Sequence, residues 1–131
     1  MNKQLIFALS LFGLFMAFGT VYFIPMNIEP FCWGGIFLLC AIVIAMKAPG
    51  KYFLHGFLVS LVNCIWITGA HVLLFSEYIK THSKELEMMA KLPMANHPRI
   101  MMLVVGPLMG IVFGIILGGL SWLASLVFKK R

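Results

Sequence analysis

Residues 106–119 read GPLMGIVFGIILGG, with glycine at every fourth position in an otherwise apolar run. An α-helix turns once in about 3.6 residues, so a period of four drifts by about 40° per step and stays on one broad side of the helix. Gly106, Gly110, Gly114 and Gly118 therefore form a stripe without side chains, equivalent to three overlapping GxxxG patterns, and Ser121 and Ser125 carry the small face onward. In hydrocarbon, helices associate through close packing and interhelical hydrogen bonds, so the stripe predicts a face where something approaches the backbone. Three occupants fit it: another helix of the same subunit, a symmetric copy of this helix, or a lipid tail.

The stretch lies in the last of four long apolar runs. The chain has 131 residues, 62% hydrophobic and 11% charged, whereas a soluble domain carries about 25% charged residues. That difference excludes the soluble classes. With about 20 apolar residues to a crossing, the sequence predicts spans at 5–24, 31–46, 52–75 and 100–128. The expected fold is all-α: a polytopic membrane protein, one compact antiparallel bundle of four transmembrane helices forming a single domain over residues 1–131. The first run is longer than a signal-peptide core and lacks a small-residue cleavage site, so it is expected to stay in the mature protein. The links PMNIEP and KAPGK are short enough to make successive helices neighbours. The last run exceeds what a bilayer core requires, and a tilt, a protrusion or a bend at Pro107 must absorb the excess.

The charges separate by side. Lys3, Lys47, Lys51, Lys129, Lys130 and Arg131 fall on one face, and Glu29, Glu77, Glu85 and Glu87 balance Lys80, Lys84, Lys91 and Arg99 on the other. The formal charge of +6 thus sits on one face, which the positive-inside rule makes cytoplasmic. The localisation expected is a bacterial inner membrane with both termini in the cytoplasm. These basic residues are explained by topology and imply no nucleic-acid partner.

Between residues 76 and 92, Ile79, His82, Leu86 and Met89 recur at helical spacing while Lys80, Lys84, Glu87 and Lys91 take other angles. This predicts an amphipathic extracytoplasmic extension of the third helix, with Glu87 and Lys91 spaced for an ion pair. Asn96 is the expected cap of the fourth helix and Pro98 belongs to its opening turn. In the first helix, Ser10, Gly13, Ala17 and Thr20 make a face of small residues suited to a packing seam.

The third span carries its polar residues on one half: His55, Ser60, Asn63, Cys64, Thr68 and His71. Asn63 stands near mid-membrane, where an unpaired amide is costly. One reading is structural, with Asn63 bonded to a carbonyl or to Ser10, and Ser60 or Thr68 bonded to their own helix. The other is a ligand-binding or polar pathway through His55, Ser60, Asn63, Thr68 and His71, with the two histidines at its ends. Cys40 and Cys64 read as small packing residues, and three cysteines make no disulfide framework.

No local catalytic motif is present: HExxH, CxxC, GxSxG, GxGxxG and Walker patterns are all missing from the sequence. His71, Glu77, His82, His97 and the nearby methionines fit interfacial packing better than a metal site, because an unbroken helix holds His71 and His82 about 16 Å apart. No metal, cofactor or assigned catalytic residue is expected. The function that follows is a small non-enzymatic membrane protein, an oligomeric transport or channel element or an accessory subunit. Its partners would be membrane lipids and a homo-oligomer or larger membrane complex. The alternative is an intramembrane lipid-binding protein or lipid-modifying enzyme that uses the polar face of the third helix.

Overall fold

The structure is a computed structural model in which residues 1–128 are described; Lys129, Lys130 and Arg131, part of the basic cluster noted above, lie outside the described residues. It is all-helical, with α1 (Lys3–Tyr22), α2 (Glu29–Lys47), α3 (Tyr52–Leu73), α4 (Phe75–Thr81), α5 (Ser83–Met89) and α6 (Pro98–Phe128). Four of these, α1, α2, α3 and α6, are long and apolar enough to cross a membrane. Their length and composition are those of an integral membrane protein.

The helix limits have local causes. At the start of α1, the Asn2 side chain accepts the Leu5 N–H at 3.0 Å, satisfying one of the donors that every helix start leaves open. After Tyr22, the N–H groups of Phe23 and Ile24 both turn onto Gly19 O, and Pro25 prevents continuation. Pro30 occupies the first turn of α2, where a missing N–H costs nothing. Pro98 does the same for α6, which puts His97, rather than Asn96, immediately before the helix.

The segment beyond α3 differs from the single amphipathic extension expected over 76–92. Leu74 and His82 leave the helical region, with φ/ψ of −105°/31° and −128°/42°, and split it into two seven-residue helices. The breaks turn Tyr78 and His82 inward, and both are buried. The ion pair formed here is Glu77 with Lys80 at 2.8 Å. Lys91 lies past the end of α5, so it has lost the helical register that would have set it over Glu87.

α3 packs most extensively on α6 and next on α1, whereas α2 packs mainly on α6 and only lightly on α3. The small face of α1 is buried, Ser10, Gly13, Ala17 and Thr20 included. The glycine stripe of α6 is covered by α3 of the same chain. A Cβ on Gly106 would meet Thr68, on Gly110 Cys64, on Gly114 Phe57 and on Gly118 Phe53, so the partner's number falls as the glycine's rises. α3 answers with a glycine of its own: a Cβ on Gly56 would lie 2.6 Å from Leu117 O.

The helix set is filled unevenly. At the end where α1 begins and α6 ends, Leu9, Cys40, Ile44, Val59 and Leu117 bring all four long helices into one buried cluster. At the other end, a smaller cluster of Val21, Tyr78 and Met102 joins α1, α4 and α6. We call the latter the cap end, because α4 and α5 close over it. Between the two clusters the first half of α2 stands away from α3.

Candidate functional site

That separation leaves a cavity of about 590 Å³ bounded by α2, α3 and α6, with Tyr78 and Glu85 at its cap end. Each wall follows from helical spacing. α3 contributes Ser60, Asn63, Cys64, Ile67, Thr68 and His71, successive turns of one face. α2 contributes Glu29, Trp33, Gly34 and Phe37, and α6 contributes Met102, Gly106, Met109, Gly110 and Phe113. Phe37 and Phe113 meet edge to face, with centroids 6.0 Å apart, and beyond them lies the buried four-helix cluster. The cavity opens sideways, since Gly34 and Met109 on its rim are exposed. In a bilayer that opening faces lipid.

Four of the five sequence-derived pathway residues line this space: Ser60, Asn63, Thr68 and His71. His55 does not. It is fully buried near the termini, where Nδ1–H donates to Lys51 O at 3.0 Å and Nε2 accepts the Asn2 N–H at 3.0 Å. A carbonyl only accepts and an amide N–H only donates, so both ring nitrogens are committed. His55 ties the turn through Gly50 and Lys51, whose φ angles are positive, to the start of α1.

Of the polar groups of α3, Thr68 keeps to its own helix as expected, its Oγ1 3.6 Å from Cys64 Sγ, while the others settle differently. Ser60 Oγ donates across the interface to Gly110 O at 3.2 Å, not to its own helix. Cys64, read as a packing residue, donates from Sγ to Gly106 O at 2.9 Å. The bare glycines allow both contacts by letting α3 reach the α6 backbone. Trp66 Nε1 donates to Ser10 Oγ at 3.5 Å, so that hydroxyl serves Trp66 rather than Asn63. Asn63 is 3% exposed, and neither its Nδ2 nor its Oδ1 has a hydrogen-bond partner among the described residues. An amide buried this way costs about 1–3 kcal/mol.

The cap end holds a polar chain that the sequence did not bring together. Tyr78 stacks between two histidines, with ring centroids 3.9 Å from His71 and 4.3 Å from His82. The break at His82 makes this possible; an unbroken helix would have kept the two imidazoles far apart. His82 Nε2–H donates to Glu29 Oε2 at 2.8 Å, and Trp33 Nε1–H donates to Glu29 Oε1 at 3.3 Å. His82 Nδ1 lies 2.8 Å from Thr81 Oγ1, and Thr81 Oγ1 reaches Thr20 O at 3.2 Å, fastening α4 to α1.

Tyr78 donates its phenolic hydrogen to Glu85. Burial first, and then the hydrogen bond to Glu85, push its ionisation well above the ordinary phenol range, so the hydroxyl stays a donor. On the other side of the stack, His71 Nε2 lies 2.8 Å from Thr20 Oγ1. That hydroxyl is also within reach of Met16 O at 2.9 Å. When its hydrogen goes to this carbonyl, His71 Nε2–H must donate, and Nδ1 is left as an acceptor on a residue that lines the cavity.

Sequence reasoning missed Glu29, Trp33, Tyr78 and Glu85. Among the described residues, no group of three or more His, Cys, Asp or Glu is placed to hold a metal ion. Comparisons with protein-family models, with curated proteins and with solved structures find no match.

Proposed function

We propose that this protein binds an elongated amphiphile inside the membrane, with the apolar part of the ligand between α2 and α6 and its polar part toward α3 and the cap. The observation that carries this reading is a cavity of about 590 Å³ whose walls are mostly apolar along α2 and α6 and polar at His71, Tyr78 and Glu85 toward the cap. A pocket of this kind suits a ligand that brings an apolar body to a few polar groups. Sideways access suits a molecule that arrives from the bilayer. The packed layer of Leu9, Ile44, Val59 and Leu117 below the cavity favours binding over a continuous channel within one subunit.

The arrangement that goes with this reading is an antiparallel four-helix membrane bundle, placed by its charge in a bacterial inner membrane with both termini cytoplasmic and the cap outside. Lys3, Lys47 and Lys51 support the orientation. Maleimide labelling of single cysteines at 49 and 85, in protein whose native cysteines are serine, should report the first inside and the second outside; the reverse pattern would overturn it. A homo-oligomer or larger complex would form on outward faces such as Phe7, Phe15 and Phe18 of α1, all exposed, because α3 already covers the glycine stripe.

The binding test uses Gly34, where an added Cβ meets nothing within 4 Å. Gly34→Phe projects a ring into the cavity without disturbing a packed contact. Mass spectrometry of protein extracted with its native lipids should find an amphiphile in about equimolar amount with wild type and little with Gly34→Phe, at equal helicity. Equal occupancy of the two proteins would remove the cavity as the binding site.

A further inference from the structure

The charge on the walls points to one kind of headgroup. Two carboxylates, Glu29 and Glu85, line the cavity, and no lysine or arginine does. Glu29 accepts hydrogen bonds from His82 and Trp33. Glu85 faces the neutral Tyr78 hydroxyl and forms no ion pair among the described residues. Of the cations on the cap side, Lys80 pairs with Glu77, Arg99 lies over the Phe75 ring at 5.7 Å, and Lys84, next to Glu85 in the chain, forms no ion pair with it. Trp33, Phe37 and Phe113 supply aromatic surface on the same walls, whereas the faces of Tyr78 are covered by His71 and His82.

An unmatched carboxylate beside aromatic rings, at one end of an apolar cleft, attracts a positive charge and repels a negative one. We infer that the ligand is a cationic amphiphile, an alkyl ammonium whose headgroup sits at Glu85 and beside the Trp33 ring while its chain runs past Met109 and Phe37 toward Phe113. The inference rests on the binding reading above and adds the class of headgroup. Fatty-acid and phosphate-monoester headgroups are excluded on the same grounds, because no cation on the walls would receive them.

The test uses Trp33 as reporter, in protein carrying Trp66→Phe and Trp122→Phe, held in uncharged dodecyl maltoside micelles. Dodecyltrimethylammonium should change Trp33 fluorescence saturably, and dodecyl sulfate should not. Glu85→Gln, which keeps an acceptor for Tyr78, should raise the half-saturating concentration by about tenfold, the scale of one lost charge contact at partial burial. Glu77→Gln, off the cavity, should leave it unchanged. Phosphatidylethanolamine added to the micelles separates two sources of the same ammonium: full competition marks a lipid headgroup, and none marks a free single-chain amine. If dodecyl sulfate or dodecanol saturates at the same concentration as the ammonium, or Glu85→Gln has no effect, the cationic assignment falls while binding in the cavity stands. If no amphiphile gives a saturable change that Gly34→Phe abolishes, both readings fall.

Discussion

The Asn63 side chain rests directly on Gly13. A Cβ at residue 13 would come within 2.6 Å of Asn63 Cγ and 2.8 Å of Asn63 Cβ. The second atom is fixed to the α3 backbone, so rotation of the side chain cannot relieve the clash. α1 and α3 would have to separate. Gly13→Ala is therefore expected to lower stability by about 1–3 kcal/mol, the usual cost of forcing a methyl into a packed interface. Gly35→Ala is the control: its Cβ meets nothing, and removing a helical glycine should be neutral or mildly stabilising. Thermal unfolding in detergent distinguishes them, and equal effects would contradict the close approach.

A second pair of substitutions reads the glycine stripe. Gly114 lies against Phe57, whose carbonyl oxygen is 3.3 Å from an added Cβ, while Gly119 has open space around it. Gly114→Leu should destabilise by about 3 kcal/mol or more, since a leucine there must push the α3 backbone away. Gly119→Leu should stay within about 0.5 kcal/mol of wild type. The loss should appear in the melting temperature of the single subunit. A Gly114→Leu protein that melts normally but no longer self-associates would move the stripe to a contact between subunits.

These two cases show what the sequence could and could not say. The four long helices were legible because hydropathy over about 20 residues is a sum that no single contact decides. Spacing likewise identified the face holding Ser60, Asn63, Thr68 and His71, which one cavity does receive. The occupant of the glycine stripe was not legible, because bare backbone is equally suited to any close neighbour. The breaks at Leu74 and His82 carry no proline or glycine to announce them. They arise where Tyr78, Thr81 and His82 find partners on α1, α2 and α3. Glu29 and Trp33 were missed because α2 shows no polar periodicity. The one available signal was the seven-residue step from His71 to Tyr78, an ordinary spacing for aromatic neighbours on one side of a helix.

The cap depends on the contact between His82 and Glu29. Since His82 is buried and Glu29 partly exposed, the pair is shielded from water on one side only. A double-mutant cycle with His82→Ala and Glu29→Gln should give a coupling of about 1–2 kcal/mol. Proteolysis between residues 82 and 97 should accelerate in both single variants, as the link holding α5 over the cavity is lost. A coupling near zero, with cleavage unchanged, would make the pair incidental to cap closure.

His55 and His71 share a helix but have separate tasks. His55→Ala leaves the Asn2 N–H and one Lys51 carbonyl interaction unreplaced, at about 1–2 kcal/mol of stability, and should not alter amphiphile binding. His71→Ala removes a cavity wall and one partner of the Tyr78 stack, so binding should weaken by more than its stability loss explains. Measuring both quantities on both variants decides whether the polar face of α3 acts as one pathway or as a site plus a tether. Binding lost equally in the two would restore the single pathway.

Asn63→Leu tests what the unpartnered amide contributes to the contact between α1 and α3. Were the amide a structural bond, its loss would destabilise the fold, as removal of one partner from a buried hydrogen bond does. Here it has no partner in the protein, so exchange for an apolar side chain of similar volume removes a desolvation cost without breaking a contact. The ligand-free protein should then melt at the same temperature or higher. Amphiphile binding should be unchanged, because the carboxamide rests on Gly13 of α1, away from the cavity bounded by α2, α3 and α6. A variant that melts early would show that the amide holds α1 and α3 together.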